Sequence, residues 1–499
     1  MSGRDHRHTA LILILLAIGT AVRFAFLGAE SLWEDEIGSL IIARMPIGDI
    51  LRMHQTTIEF HPPLYFAALH YWVSLFGETE FAVRSMSAVF STCSLYLMYA
   101  VGRDLFGREA GLTAMGLLAF STFHVRFAQE ARNYALTVLL GLASFHYLIR
   151  CMKNFSFPSG AGYAVSTAAL LYTNNLGLLI PFAQNLLVFS GGAFTEPREK
   201  RRWLLSQFAI LVLFAPWLPI FVSQLVSAQK GFWISPPDIQ TLLDTLLEYG
   251  GGLTSCHASR DYDISASIVT TFLLLISGLV SMFDVSHTSA PDAGPTEGWI
   301  LRRFHAPAMT MTFLWLAIPL LVPYFLSFVG QPVFITRVTI LSSIALYILA
   351  ARGVAVIPSM RVKHLLLGAF TLLMVLSLKE YYLSPDKDQW REAAAIVADD
   401  AQPDDTIVVA SARCKESFGY YFRQAMQRIL PFPVSSPEIN DKTVSELMPQ
   451  LEHSGRIWLL LSYHTFGDAN LLLAKLAGRY RLLRHREVFG IQLYLLGRT

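Results

Sequence analysis

The chain has 499 residues, of which 53% are hydrophobic and only 15% are charged, and its mean hydropathy is +0.44. Soluble globular proteins carry about 25% charged residues, so this composition excludes an ordinary soluble domain and indicates a polytopic membrane protein. The formal net charge is only +2, and no basic patch interleaved with aromatic residues indicates nucleic-acid binding.

The first predicted element is an apolar run from Thr9 to Leu27 that follows Arg4 and Arg7. It is about 19 residues long, enough to cross a bilayer, and no convincing signal-peptidase site follows it. We therefore expect a retained first span. The whole chain predicts eleven spans: 9–27, 82–102, 110–124, 134–150, 160–176, 178–194, 204–225, 264–284, 308–329, 338–352 and 364–383.

Residues 62–76 are apolar but would rise only about 22 Å as a helix, short of a ~30 Å hydrocarbon core. If this stretch does not span, most Lys and Arg residues fall in cytoplasmic loops, as is usual for membrane proteins. We therefore expect an interfacial helix here and a cytoplasmic N-terminus in the inner (plasma) membrane. The outer, extracytoplasmic face then receives 28–81, 124–133, 226–263, 330–337 and the tail from 384.

The composition changes at Ser384, where charged residues become frequent and no stretch is long enough to span. Here "DQWREAAAIVADD" (388–400) predicts an amphipathic helix, while "TIVVA" (406–410) and "GRIWLLLSY" (455–463) predict strands. Further helices are expected around 415–426 and 466–480. The sequence thus predicts a transmembrane domain over 1–383, with 28–81 as its first external loop, and a soluble α/β domain over 384–499. Cys256 and Cys414 lie outside the spans, and we expect them to be unpaired.

The external stretch "SLWEDEIGSL" (31–40) places Glu34, Asp35 and Glu36 in a row after Trp33. One interpretation is that these acids stabilise the N-terminus of a juxtamembrane helix, where negative charge is favourable. The other is that they belong to a catalytic site.

The motif "HPPLY" contains two prolines that suit the start of a helix, flanked by His61 and Tyr65. His61 is either a partner for a phosphate or carboxylate or an ordinary satisfied polar residue. The motif alone leaves both readings open.

The short external segment "HVRFAQEARNYA" (124–135) carries Arg126, Glu130 and Tyr134 at spacings that predict one helix face, with Arg132 between them. These charges are either a surface ion pair or, because charge packed between spans is costly, part of a ligand pathway. Arg337, at the start of a late span, and Arg23, near the end of the first, either snorkel or contact a phosphate.

Together these patches predict acidic residues beside arginines in a cleft at the outer face. Such a cleft suits a lipid-phosphate leaving group next to a carboxylate base.

The order of these motifs resembles that of the bacterial membrane glycosyltransferases of the GT-C fold, in the branch related to protein O-mannosyltransferases and lipid A aminoarabinose transferases. The resemblance rests on the external "W-x-D-E", on "HPPLY…LHYW…LFG…EFAVR", on "QEARNYA", on a late "P-x-x-x-x-R" and on "WREAAAIVADD". It covers essentially the whole chain and is densest over residues 20–140.

This resemblance implies a mainly α, polytopic fold and the inverting transfer of a sugar from a polyprenyl-phosphate donor to a lipid, polysaccharide or protein. It assigns the catalytic acid pair to Asp35 and Glu36, with Asp35 as the base. Glu130 takes the place of a supporting or metal-binding acid, and the late arginine falls on Arg337; His61, Tyr65, Arg126, Arg132 and Tyr134 are the remaining candidates for substrate binding. The family often has an aromatic residue after the late arginine and Asp in the place of Glu130, so Val338 and Glu130 depart from its pattern.

Two questions stay open at this point, the need for a metal and the function itself. A divalent cation, Mg²⁺ or Mn²⁺, or no metal at all is compatible with one Asp/Glu pair. The competing functions are a transporter or lipid flippase, and a non-catalytic partner in the assembly of cell-envelope polysaccharide. Both predict that activity does not depend on Asp35.

Overall fold

The computed structural model describes residues 3–55, 61–190, 193–194, 196–228, 234–252, 264–283, 295–410, 414–422, 428–434, 438–462 and 466–499. These residues divide into two compact units. The membrane unit comprises described residues of 3–27 and 42–383, and the tail unit comprises 28–41 together with 384–499. The predicted first external loop is therefore divided, because its first fourteen residues pack with the tail. Cys256 lies outside the described residues.

The residues described before Ser384 form helices joined by turns and loops. The first helices are α1 (Gly3–Phe24), α2 (Glu34–Ala43), α3 (Ile47–Gln55), α4 (Leu64–Phe76), α5 (Glu80–Phe106), α6 (Arg108–Phe120), α7 (Thr122–Ala128), α8 (Tyr134–Lys153) and α9 (Phe157–Leu171). They are followed by α10 (Leu179–Phe189), α11 (Pro197–Phe214), α12 (Leu218–Ala228), α13 (Ile239–Tyr249), α14 (Ser265–Phe283), α15 (Pro295–Val329), α16 (Ile340–Val356) and α17 (Met360–Leu383), with short 3₁₀ turns at Asn175–Leu178 and Thr336–Thr339.

The predicted count of eleven spans is not confirmed. Among the described residues, seven helices are long and apolar enough to cross a membrane, and the pair α11 and α12, bent by 72°, makes an eighth if it is one span. Three of the predicted eleven fall on α6, α9 and α10, which have 13, 15 and 11 residues. At ~1.5 Å per residue they are shorter than the hydrocarbon core. Each contributes to the main buried core, with Leu118, Leu170 and Leu187 among its members.

The predicted short helix over 62–76 is present as α4, with 13 residues. The indole nitrogen of Trp72 donates to the Ala82 carbonyl and to Ser85 Oγ, at 3.0 Å each. Tyr71, by contrast, is exposed. The helix thus packs one side against the start of α5 and leaves the other uncovered.

Arg23 has a structural role, which settles the choice that the sequence left open. Its side chain is fully buried and donates to Ser91 Oγ at 2.8 Å and to the carbonyls of Leu118 and Ala119 at 3.0 and 3.2 Å. Those carbonyls belong to the last turn of α6, whose acceptors lack partners within the helix and favour a cation. The arginine therefore caps α6, and neither snorkelling nor a phosphate contact is needed to explain it.

The tail unit contains α18 (Trp390–Asp400), β1 (Thr406–Ala410), α19 (Cys414–Tyr421), β2 (Arg428–Phe432), β3 (Glu438–Ile439), α20 (Asp441–Leu447), β4 (Arg456–Ser462), β5 (Phe466–Gly467), α21 (Ala469–Ala477), β6 (Tyr480–Val488) and β7 (Ile491–Arg498). A five-stranded sheet has the order β2-β1-β4-β7-β6, parallel between β2, β1 and β4 and antiparallel between β4, β7 and β6. The small α/β sheet predicted for the tail is confirmed.

Helices cover the central strands on both faces. Ile407 and Val409 of β1 pack in the cluster of α18 and α19, whereas Val408 and Ala410 pack in the cluster of α20 and α21. This explains why "TIVVA" is apolar throughout rather than alternating, as is usual for a strand buried on both faces.

Candidate functional site

The segment "QEARN", residues 129–133, is a turn that separates α7 from α8. Arg126, Glu130 and Tyr134 therefore do not share one continuous helix face, and that prediction is wrong. Helix α7 ends at Ala128, and the next side chain anchors the turn: the Gln129 amide nitrogen donates to the carbonyls of Arg23 and Ala25, at 3.1 and 2.7 Å. The turn is nevertheless buried, with Glu130 only 2% exposed and Arg132 only 6% exposed.

Two ionic or polar pairs lie within and beside this turn. Arg126 Nε is 3.7 Å from Glu130 Oε1, so the predicted pairing of these two residues is present although the helix is not continuous. Arg132 Nη2 lies 3.4 Å from Nδ1 of the His61 ring. The structure thus brings the "HPPLY" motif together with Arg132, the arginine of "QEARN".

Tyr65 is joined to this turn through Ser87. Its ring is fully buried, and its hydroxyl lies 2.9 Å from Ser87 Oγ. Ser87 Oγ in turn donates to the Arg132 carbonyl at 3.4 Å. Tyr65 therefore supports the backbone of Arg132 through Ser87, and its hydroxyl is engaged with protein groups.

The remaining two predicted residues of the membrane unit lie on other elements. Tyr134 begins α8 and packs against the Phe127 ring, with centroids 4.7 Å apart. Arg337 is half-buried in the 3₁₀ turn Thr336–Thr339, which is joined to α13 by the Thr245–Thr336 and Tyr249–Thr339 hydroxyl contacts.

Three side chains of this region were missed by the sequence reasoning. Arg84 is 1% exposed and donates to the Leu27 carbonyl at 3.1 Å. Asn133 donates to the Thr173 carbonyl at 2.7 Å, and Ser87 makes the contacts given above. For Arg84 a signal existed, because a charged residue inside a predicted span (82–102) is costly and indicates a role. Nothing in the sequence pattern singles out Asn133 or Ser87.

The acidic stretch belongs to the tail unit. Glu34, Asp35 and Glu36 form the first turn of α2, which suits the positive end of a helix. Glu36 is fully buried and its Oε2 accepts from the Trp33 amide at 3.4 Å, so it acts as a cap. Glu34 Oε1 accepts a hydrogen bond from the buried thiol of Cys414. The helix-capping interpretation thus applies to Glu36, and Asp35 lies between the two engaged acids, half-buried.

A fourth acid, Asp388, lies near Glu34 within the tail unit. Burial, together with the negative charge of Glu34, raises the pKa of Asp388 to about 8. The Asp388 side chain fills the space above Gly490, where a Cβ would come within 1.9 Å of Asp388 Oδ1, and Gly490 has a φ of +82°. Both features favour glycine in this turn.

Within the described residues, no group of three or more His, Cys, Asp or Glu side chains lies close enough to hold a metal ion. The assignment of Glu130 as a metal ligand stays a prediction. One of its contacts in the structure is the Arg126 guanidinium.

Comparison with known proteins agrees with this architecture. Residues 60–220 match the family described as dolichyl-phosphate-mannose-protein mannosyltransferase. The oligosaccharyltransferase of Archaeoglobus fulgidus is similar in structure, with a TM-score of 0.58, 10% identity and coverage of 91% of this chain and 69% of that one. ArnT from Cupriavidus metallidurans has a TM-score of 0.50 at 12% identity and coverage of 98% of both chains. This chain has the GT-C fold of membrane glycosyltransferases.

The predicted resemblance to the GT-C proteins is therefore confirmed, and the matched region contains "HPPLY", "EFAVR" and "QEARNYA". No curated protein matches the sequence significantly. Arabinofuranosyltransferase AftD from Mycobacteria shows the same GT-C likeness, with a TM-score of 0.50, 14% identity and coverage of 100% of this chain and 42% of that one.

Replacing Asp388 by Asn should stabilise the tail unit of this GT-C protein at pH 8 and change it little at pH 4. Because the folded-state pKa of Asp388 is raised to about 8 from an ordinary ~3.9, its contribution to stability is full below about pH 4. That contribution is lost as the pH rises toward 8. Asparagine cannot ionise, so the variant should lose nothing over this range.

The measurement is hydrogen exchange of the β4 amides in the intact, detergent-solubilised protein, with wild type and variant compared at each pH so that intrinsic exchange cancels. Asp441→Asn, at an exposed tail carboxylate, is the control and should show no such trend. A protection ratio between wild type and Asp388→Asn that stays constant from pH 5 to pH 8 would contradict the raised pKa.

Proposed function

We propose that this protein transfers a sugar from a polyprenyl-phosphate donor to an acceptor at the extracytoplasmic face of the inner membrane. The observation that carries the proposal is the group of Arg126, Glu130, Arg132 and His61, of which Glu130 and Arg132 are buried, in a region that matches the mannosyltransferase family. Charge is retained inside an apolar helical unit at considerable cost, which points to a ligand. The archaeal oligosaccharyltransferase, which shares the fold, is known in complex with dolichol-phosphate.

The arginines are assigned to the phosphate of the donor. When the sugar departs, negative charge grows on the phosphate oxygens, and a guanidinium stabilises it with two parallel hydrogen bonds. Two contacts support this assignment for Arg132: Ser87 and Tyr65 hold its backbone, and His61 contacts its side chain. We assign Arg337, on the 3₁₀ turn Thr336–Thr339, to the same donor phosphate. Tyr134, which packs against Phe127, is assigned to the wall of the donor site.

Asp35 is assigned as the general base. An alcohol is a poor nucleophile, and a carboxylate within hydrogen-bond reach can take its proton as the new bond forms. The choice of Asp35 follows its place in the "W-x-D-E" pattern. Its neighbours Glu36 and Glu34 cap α2 and accept from Cys414, respectively. The acceptor oxygen bonds to the anomeric carbon, the carbon–oxygen bond to the phosphate breaks, and the polyprenyl phosphate leaves. One displacement with one base inverts the anomeric centre.

A transporter or flippase is not favoured by the comparisons, which find glycosyltransferases. The proposed N-terminus is cytoplasmic and the proposed tail is extracytoplasmic, on the grounds of the Lys and Arg distribution. The acceptor is a lipid, a polysaccharide or a protein, and an assay with one acceptor class at a time separates them.

Asp35→Asn should lower the rate of sugar transfer by about 10²- to 10⁴-fold, the usual contribution of a general base, while donor binding is retained. The measurement uses proteoliposomes containing the purified protein, a panel of radiolabelled polyprenyl-phosphate sugars and a membrane extract as the acceptor source. Asp49→Asn is the matched control, because Asp49 lies on α3, half exposed and paired only i,i+3 with Arg52. Full activity of Asp35→Asn would contradict the proposal and favour a transporter or assembly partner.

Arg132→Gln should lower kcat by about 10²-fold, because it removes a donor that stabilises the leaving phosphate. Arg44→Gln removes an arginine of similar length that pairs with Glu78 at 2.7 Å, largely exposed, and should leave turnover within about twofold. Thermal unfolding of both variants shows whether folding is intact. If a folded Arg132→Gln protein turned over at the wild-type rate, the phosphate would have to be bound elsewhere.

A further inference from the structure

We propose that Tyr421 and Glu392 are positioning residues for the transfer reaction: one face of the tail domain, formed by α18 and α19, holds the segment 29–34 that leads into Asp35. This inference rests on the proposed function of Asp35 as the base. It assigns the tail domain a part in catalysis, where the sequence showed no chemistry of its own.

Ser31 is the centre of the contact. It is buried, and its hydroxyl donates to Glu392 Oε2 at 2.9 Å. Ser31 Oγ also accepts from the backbone amide of Arg391 at 3.2 Å. Arg391 also donates from its guanidinium to Glu392 at 3.0 Å, which fixes the carboxylate. The first turn of α18, "WRE", thus binds a single serine from two sides.

The residues on either side of Ser31 are held in the same way. The Leu32 amide donates to the Tyr421 hydroxyl at 2.7 Å, and Leu32 is fully buried. The Ala29 carbonyl accepts from the Arg391 side chain, and Glu30 Oε1 accepts from the Asp386 amide at 2.8 Å. Beyond them, Glu34 accepts from Cys414 on α19. Almost every residue from 29 to 34 therefore has a partner in the tail sequence.

The consequence for Asp35 follows from the local backbone. Residues 30–33 have no helical or strand structure, so no ladder of their own satisfies their polar groups, and partners must come from side chains or other elements. The α18 and α19 contacts supply those partners and fix where α2 begins, at Glu34. A catalytic carboxylate must be held within roughly 0.5 Å of its productive position. Asp35 directly follows Glu34, so the contacts that fix the start of α2 also fix the backbone of Asp35.

The test compares variants that loosen this segment with variants that do not. Tyr421→Phe removes the hydroxyl that accepts from the Leu32 amide. Tyr494→Phe is the control, because it removes a tail hydroxyl that donates to Gln492 within the sheet. Glu392→Ala removes the acceptor for Ser31, whereas Glu392→Gln keeps an oxygen there and should rescue. Full-length proteins are assayed for kcat and for the KM of the donor, and hydrogen exchange is measured on peptides covering residues 31–41.

We expect Tyr421→Phe and Glu392→Ala to exchange about fivefold to tenfold faster over 31–41, the effect of one lost hydrogen bond. Their kcat should fall by a similar factor while the donor KM stays within twofold, because the base is displaced and donor binding is unchanged. Tyr494→Phe and Glu392→Gln should match wild type in both measurements.

Unchanged kcat in Tyr421→Phe and Glu392→Ala would overturn the inference, whether or not exchange is faster. So would an equal loss of kcat in the two control variants, because the effect would then be one of general tail stability. Failure of the proposed function would look different, because Asp35→Asn would then be fully active. If Asp35→Asn is inactive while Tyr421→Phe and Glu392→Ala are unaffected, only the positioning role is rejected.

Discussion

The side-chain amide of Gln129 is the contact on which the rest of the membrane unit's candidate site depends. It donates to two carbonyls at the end of α1, and its oxygen accepts from the Tyr381 hydroxyl of α17 at 3.0 Å. One residue therefore joins the first and last long helices of the unit at the point where α7 ends. Glu130 and Arg132 follow directly, inside the buried turn that this contact anchors.

The arginines of this unit differ in the kind of contact they make. Arg23 stabilises a helix end, since its donors satisfy the last carbonyls of α6. The Arg126–Glu130 and Arg132–His61 pairs, at 3.7 and 3.4 Å, instead join side chain to side chain. Residue type alone therefore does not separate these arginines from Arg23, and only the fold shows which contacts each of them makes.

Much of the fold could be predicted from the sequence, because burial in a bilayer and burial between two helix layers leave strong apolar patterns. The first span, the short helix α4, the strand "TIVVA" and the helix "WREAAAIVADD" are of this kind. The count of spans could not be predicted, because an apolar run of 11 to 15 residues is the same whether the helix faces lipid or other helices, as α6, α9 and α10 show. The hairpin of β6 and β7 was also missed: residues 481–487 are exposed and charged and carry no alternating apolar signal.

The candidate site divides in the same way. Its charged residues are conspicuous in a hydrophobic sequence, so Asp35, Glu36, Glu130 and the arginines could be proposed as site residues from the sequence. The side chains that place them, among them Gln129, Ser87 and Tyr421, are ordinary polar residues whose importance depends on contacts with residues far away in the chain. The association of residues 28–41 with a domain that begins at 384 is likewise a long-range property that no local pattern encodes.

The most direct measurement of the central claim is the anomeric configuration of the transferred sugar, determined by NMR on the product formed from a donor of known configuration. A single displacement with Asp35 as base predicts inversion of the anomeric centre relative to the polyprenyl phosphate. Retention would contradict the account, because it requires two displacements and a covalent sugar–enzyme intermediate.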